Sequence, residues 1–309
     1  MEEYIKIRTE WLESDTKRDK DLKVPEDVEC RYDVYYGAGG QIAGGGNNIP
    51  DEEKKWNLLD IYTPKARSSS PLPVIVSIHG GGYVYGTKEI YRFYGMSLAL
   101  RGFAFVNFNY RLAPENKFPS ALEDTCKVMK WLADNGPGLG LDIDNVFVVG
   151  DSAGAHYASL YLAAYSNSDY ASLCGIEPEK RLMIRACALN CGVYDPLILR
   201  REDGLDDLTA YLFSEENWKD MAAEYLQTHR FLNKDYPPVF LMSGTNDFLL
   251  HQLEPMKDHL NKSGIECVSK IYGEEDPEKA YHVFHVDMNN VFQKECNDDE
   301  TAFFKAHLV

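Results

Sequence analysis

The 309-residue sequence has no uninterrupted apolar run long enough to span a bilayer as a helix, which argues against an ordinary helical membrane protein. It is also short of positive charge: 32 Lys and Arg stand against 49 Asp and Glu, a net charge of −17. Without a basic face, nucleic-acid binding is not expected, and an anionic membrane surface should repel the chain. The seven cysteines, at positions 30, 126, 174, 187, 191, 267 and 296, share no metal-ligand spacing. Cys187 and Cys191 lie in an apolar, strand-like segment and read as buried free thiols. The opening Met-Glu-Glu-Tyr-Ile-Lys has no basic region leading into an apolar core, so no signal peptide is expected and the expected setting is a reducing cytoplasm. The glycines between residues 37 and 48 do not fit G-x-G-x-x-G, and no Gly-Lys-Ser/Thr follows. A hairpin tip is expected there rather than a phosphate loop. There is no internal repeat.

What the chain does have is alternation. Short apolar runs at residues 73–78, 103–109, 146–149, 186–191, 239–243 and 267–272 read as strands, several buried on both faces. Residues 31–36 and 56–62 add two more. Helical stretches separate the runs at about 89–101, 118–135, 153–166, 253–263 and 287–307. This order predicts an α/β architecture, a mostly parallel central sheet with helices on both faces. Two regions break the rhythm. Residues 1–30 are charged and carry Ile5, Ile7, Trp11 and Leu12 in loosely helical spacing, as helices lying on the body would. Residues 196–236 are long, mostly helical and rich in Tyr and Leu, placed where a lid can be inserted. The expectation is one domain over 1–309, with a cap built from about 1–30 and 196–236.

The organising stretch runs from Asn145 to Ala164. The apolar run Val146 to Val149 leads into Gly150-Asp-Ser152-Ala-Gly154, after which alanines and leucines favour helix. A strand therefore turns directly into a helix around Ser152, the setting in which flanking glycines permit a strained turn that lifts a serine hydroxyl above a sheet. A nucleophile needs oxyanion donors, and His79-Gly-Gly-Gly82 follows an earlier strand with glycines that let the main chain come close. His79 itself reads as a loop anchor. Asp247, just beyond the strand at 239–243, is the candidate acid; Asp151, adjacent to the serine, cannot readily reach behind an imidazole. His282 leaves the last strand before the final helix and is the candidate base, ahead of His285, which reads as a core or surface histidine. The order Ser152, Asp247, His282 completes a triad.

These residues carry a resemblance. His79-Gly-Gly-Gly82, Asn109-Tyr-Arg-Leu-Ala-Pro-Glu115, Phe118-Pro-Ser-Ala-Leu-Glu-Asp124 and Gly150-Asp-Ser-Ala-Gly154 resemble the motifs of α/β-hydrolases of the hormone-sensitive lipase family, from about Leu59 to the C-terminus. The resemblance implies an α/β-hydrolase fold with a helical cap, carboxylesterase activity on a small-molecule ester, and no cofactor or metal. It places the oxyanion donors on the N–H groups of Gly81, Gly82 and Ala153. Tyr83, Phe213 and Trp218 are expected to contact substrate, and Arg111 and Glu115 to form an ion pair supporting the oxyanion loop. The chain departs from the family in three places. Asp247-Phe-Leu stands where relatives have Asp-Pro-Leu, Ala155 replaces a glycine, and His282-Val-Phe replaces His-Gly-Phe. Two alternatives share the scaffold: a carbohydrate or xylan acetylesterase, and a non-catalytic ligand receptor like the plant gibberellin receptor. A metal hydrolase built on His282, His285 and Asp287 lacks the H-E-x-x-H pattern.

Overall fold

The computed structural model describes residues 3–37, 55–66, 70–200, 206–213 and 216–309. Most of the expected hairpin tip at 37–48, and residues 201–205 and 214–215 of the insertion, lie outside them. The strands are β1 (Val28–Tyr35), β2 (Leu58–Pro64), β3 (Leu72–Ile78), β4 (Ala104–Phe108), β5 (Leu141–Asp151), β6 (Ile184–Asn190), β7 (Val239–Gly244) and β8 (Cys267–Tyr272). They form one sheet in the order β1-β2-β4-β3-β5-β6-β7-β8. β2 runs antiparallel to both neighbours, and every pairing from β4 through β8 is parallel. Val74, Ile75, Val76, Val146, Phe147 and Val148 have no exposed surface, as their continuous apolar runs require of strands covered on both faces. Each such side chain contributes about 1.5–3 kcal/mol of burial.

Helices supply that cover. On one face lie α3 (Ser120–Asn135) and α4 (Ala153–Ser166), which bury Leu122, Leu132, Leu160 and Tyr161 against the sheet. On the other lie α2 (Arg92–Ala99) and α9 (Gln293–Ala306), with Tyr94, Met96, Phe303 and Phe304. α4 is buried all round through Ala164, which explains its run of alanines and leucines with no polar face. α5 (Ser168–Cys174), which the sequence pattern does not signal, is bounded locally: the Asn167 side chain caps its N–H groups, and Gly175 ends it at φ 66°. The final helix starts at Gln293 rather than near 287. Asp287 takes the Asn289 N–H and the Tyr281 hydroxyl on its side chain, holding a turn where helix was expected.

The N-terminal region folds as a single helix, α1 (Glu3–Asp19). Tyr4, Ile7 and Trp11 face inward at i, i+3 and i+7, whereas Ile5 and Leu12 are exposed. Arg8 fastens α1 to the body through Glu115, the Val84 carbonyl and the Ala113 carbonyl. The expected Arg111–Glu115 pair is thereby corrected. Glu115 pairs with Arg8 of α1, and Arg111 instead grips Asp124 at 2.8 Å and Glu123 at 2.7 Å, because α3 presents a buried carboxylate directly to it. Between β6 and β7 the insertion is broken into short pieces, among them α6 (Asp206–Ala210) and α7 (Trp218–Tyr225). α8 (Leu253–Lys262) returns the chain to β8. Among the described residues no helix is long and apolar enough to cross a membrane, and all seven cysteines are unpaired.

Candidate active site

Parallel strands deliver their C-terminal ends to one edge of the sheet, and the chemistry-bearing side chains gather there. β5 ends in Gly150-Asp151, and Ser152 turns the chain into α4 at φ 54° and ψ −124°. The turn needs its glycines for space. A Cβ on Gly154 would stand 2.1 Å from the carbonyl oxygen of Ile78, and one on Gly150 would stand 2.4 Å from that of Gly154. The Ser152 N–H donates to the carbonyl of Asn190 at the end of β6, which fixes the elbow against the neighbouring strand.

Two loops meet Ser152 from the far side. Beyond β7 and β8 an isolated parallel bridge pairs Asn246 with Tyr281, and the Asn246 N–H donates to the Ala280 carbonyl. Asp247 and His282 are the next residue on each loop. The bridge thus holds them together: His282 Nδ1 lies 2.8 Å from Asp247 Oδ1, and His282 Nε2 lies 3.0 Å from Ser152 Oγ. Burial pushes the Asp247 carboxyl up, but the His282 ring, the Cys191 thiol and the Leu249 N–H outweigh it and hold the group down at about 2. An ionised Asp247 only accepts, so Nδ1 carries the proton and Nε2 is free to accept from the serine hydroxyl. His285 is elsewhere. It is fully buried beside Tyr94, with ring centroids 5.2 Å apart, and takes no part in this relay.

The sequence departures become interpretable here. Phe248, in the place of a proline, packs against the His282 ring in a tilted arrangement, with 4.3 Å between centroids. Val283 sits at φ 54°, a left-handed conformation a glycine would adopt without strain, while Phe284 behind it is fully buried. His79 anchors its loop as expected, with Nδ1 2.7 Å from the Gly80 carbonyl and its ring stacked on Tyr110. Asp151 is held away from the imidazole by the Tyr91 hydroxyl, which donates to it at 2.6 Å. Burial pushes its carboxyl up to about 7 despite that bond. Cys191, Asp247 and His282 bring potential metal-ligand atoms within 4.8 Å of one another, but the Nδ1–H···Oδ1 hydrogen bond fills that space.

The sequence model of the BD-FAE family matches residues 59–256. The chain belongs to the BD-FAE family. Among curated proteins, this BD-FAE member is 29% identical to the probable carboxylic ester hydrolase LipM of Mycobacterium tuberculosis, over 74% of this chain and 51% of that protein. It is 24% identical to an acetyl esterase of Salmonella schwarzengrund, over 80% of this chain and 76% of that one. The chain thus spans about half the length of LipM. Among solved structures, esterase B from Lactobacillus rhamnosis, inhibited with a tributyrin phosphonate, superposes with a TM-score of 0.84 at 26% identity, covering 98% of this chain and 94% of that one. The fold is that of the α/β-hydrolases, and the resemblance to the hormone-sensitive lipase type holds.

In this BD-FAE chain the site opens into a cavity of about 510 Å³. Ser152, His282, Gly80, Gly81 and Gly82 form its floor; Ile7, Trp11, Leu208, Phe248 and Val286 form an apolar wall; Ser14, Asp15, Arg18 and Tyr85 make one end polar. Gly81 and Gly82, at φ 122° and 56°, have N–H groups engaged in no backbone hydrogen bond among the described residues, and Ala153 opens α4, where N–H groups lack intrahelical acceptors. The three residues expected to contact substrate are not brought to the cavity. Tyr83 is wholly buried, with its hydroxyl 2.8 Å from His156; Phe213 packs inward on Phe118; Trp218 packs against the core. The insertion contributes Leu208 instead, and α1 supplies most of the cover. Trp11 was visible in the sequence as part of an apolar helical stripe; nothing local marked Phe248 or Tyr91 as lining residues.

Proposed function

We propose that this protein hydrolyses carboxylic esters through an acyl-enzyme. Ser152 attacks the ester carbonyl as His282 takes its proton. The negative charge that develops on the carbonyl oxygen is received by the N–H groups of Gly81, Gly82 and Ala153. Asp247 keeps His282 in the Nδ1–H tautomer and balances its positive charge in the transition state. His282 then gives its proton to the leaving alcohol and activates the water that releases the acid. The observation that carries the reading is the unbroken relay from Asp247 Oδ1 through His282 to Ser152 Oγ, at 2.8 and 3.0 Å. Every reacting group is a side chain or main-chain amide, so the chemistry calls for no cofactor. A ligand receptor on this scaffold would have no use for the complete relay.

The substrate is a small ester of short to medium acyl chain. A cavity of about 510 Å³ with an apolar wall suits such a chain, and the phosphonate held by the Lactobacillus esterase carries butyryl-sized groups. The polar end at Ser14, Asp15 and Arg18, together with the acetyl esterase relative, favours a second reading: acetylated carbohydrate, processed by the same machinery. The whole chain acts as one domain, capped by α1 and the insertion, in a reducing compartment suited to its free thiols. An organophosphonate should label the wild type and not Ser152→Ala, which should also lose several orders of magnitude in p-nitrophenyl butyrate hydrolysis. Labelling of the alanine variant would end the proposal. Acetylated xylan assayed alongside simple esters separates the two substrates.

A further inference from the structure

Tyr83 is the third consecutive residue with a left-handed backbone, at φ 69° after Gly81 and Gly82, and it is wholly buried. A tyrosine holds that conformation only where its surroundings impose it. Its ring packs edge-on against Tyr157 of α4 at 5.5 Å. Its hydroxyl lies 2.8 Å from His156 Nδ1, one helical turn beyond Ser152, and His156 Nε2 lies 2.7 Å from the carbonyl oxygen of Leu226. A carbonyl only accepts, so Nε2 carries the proton, Nδ1 accepts, and the phenol donates to it. Thr209, on α6 and fully buried, lies beside the phenol. With the phenol's proton committed to His156, its oxygen can only accept from Thr209. Burial pushes His156 down to about 4, so the ring is neutral at neutral pH, as this assignment needs. The hydrogen bonds therefore run in one direction, from Tyr83 on the glycine loop through His156 on the helix behind Ser152 to Leu226 in the insertion, with Thr209 of the insertion beside the phenol.

We propose that Tyr83 and His156 are positioning residues through which the packing of the insertion sets the geometry of the oxyanion loop. The inference rests on the esterase reading above, in which the Gly81 and Gly82 N–H groups receive the developing charge. Those two amides immediately precede Tyr83, so a shift of its anchor moves the donors relative to Ser152, and an oxyanion donor misplaced by a fraction of an ångström loses much of its effect. Neither Tyr83 nor His156 lines the cavity, so losing the anchor should reach kcat and leave substrate binding nearly untouched.

The experiment compares wild type, Tyr83→Phe, Thr209→Val and the double variant on p-nitrophenyl acetate, with the rate of organophosphonate labelling as a second readout and thermal unfolding as a control. Tyr83→Phe should lower kcat and the labelling rate together by about tenfold or more, with KM within about twofold. Thr209→Val should lower kcat by about threefold, and the double variant should be no worse than Tyr83→Phe alone, because both remove the same chain. Should Tyr83→Phe fail to fold, Thr209→Val, which keeps its volume, carries the kcat-against-KM comparison by itself. Variants that melt earlier yet match the wild-type kcat per folded molecule would overturn the inference, as would strictly multiplicative losses in the double variant. An inactive, unlabelled wild type would instead sink the esterase reading, and this inference with it.

Discussion

Asp247→Asn discriminates between two ways in which the relay could depend on its acid. Three donors converge on the carboxylate, the Leu249 N–H at 2.9 Å and His282 Nδ1 at 2.8 Å on Oδ1 and the Ser243 hydroxyl at 2.8 Å on Oδ2, with the Cys191 thiol close by. The carboxyl is held at about 2 where an ordinary aspartate titrates near 3.8. That gap favours the charged form by about 2–3 kcal/mol. Asparagine retains one oxygen. The Leu249 N–H is fixed by the backbone and cannot turn away, whereas the Ser243 hydroxyl can rotate to accept from the new amide. The oxygen therefore stays at the Oδ1 position, and His282 keeps its Nδ1–H tautomer. What is lost is the negative charge opposite the imidazolium in the transition state. The expected result is a fall in kcat/KM of about 10²-fold, not the roughly 10⁴-fold loss of a reversed tautomer. Steady-state kinetics on p-nitrophenyl butyrate measures it, and either a 10⁴-fold loss or one under threefold would refute this assignment of the hydrogen bonds. Stability carries the same sign. A depressed carboxyl pKa stabilises the fold fully above the ordinary value and ceases to do so as pH falls through about 2, so the wild-type advantage over Asp247→Asn in urea should narrow from about pH 5 to about pH 3.

The two histidines separate cleanly: His282→Ala should be nearly inactive, while His285→Met should keep most of its kcat. Neither ring nitrogen of buried His285 has a hydrogen-bond partner among the described residues, so methionine should also raise the urea midpoint, by up to about 1 kcal/mol of stability. A His285 variant with the larger activity loss would move the base. Trp11→Ala, which opens the cavity wall, should shift relative kcat/KM toward longer acyl chains by about tenfold, and Phe213→Leu should not. Equal chain-length profiles across both variants would show that α1 does not set the acyl pocket. Gly154→Ala should cost about 3 kcal/mol or prevent folding, because its Cβ meets the Ile78 carbonyl, which belongs to a strand and cannot yield. A melting temperature within a degree or two of wild type would contradict the crowding.

Much of this architecture is decided within short windows of sequence. Runs such as 73–78 and 146–149 are apolar at nearly every position, which fits only strands covered on both faces, and the helices between them leave parallel pairing as the simple arrangement. Gly150-Asp-Ser152-Ala-Gly154 specifies its turn locally, because the crowding that demands glycine lies within the elbow and the strand beside it. The order of Ser152, Asp247 and His282 then follows from strand ends sharing one sheet edge. Side-chain direction in loops and cap is different, since it depends on partners far away along the chain. Arg111 chose Asp124 over Glu115 because α1 brought Arg8 to Glu115. Tyr83 faces the core because α4 places His156 beneath it, and Phe213 and Trp218 turn inward while Trp11, some 140 residues upstream of Ser152, walls the site. The Asn246–Tyr281 bridge aligns Asp247 with His282 across loops that contain no signal of each other. Short-range sterics and hydrophobic pattern wrote the scaffold and set Ser152, Asp247 and His282 at one sheet edge; long-range packing alone decided what covers them.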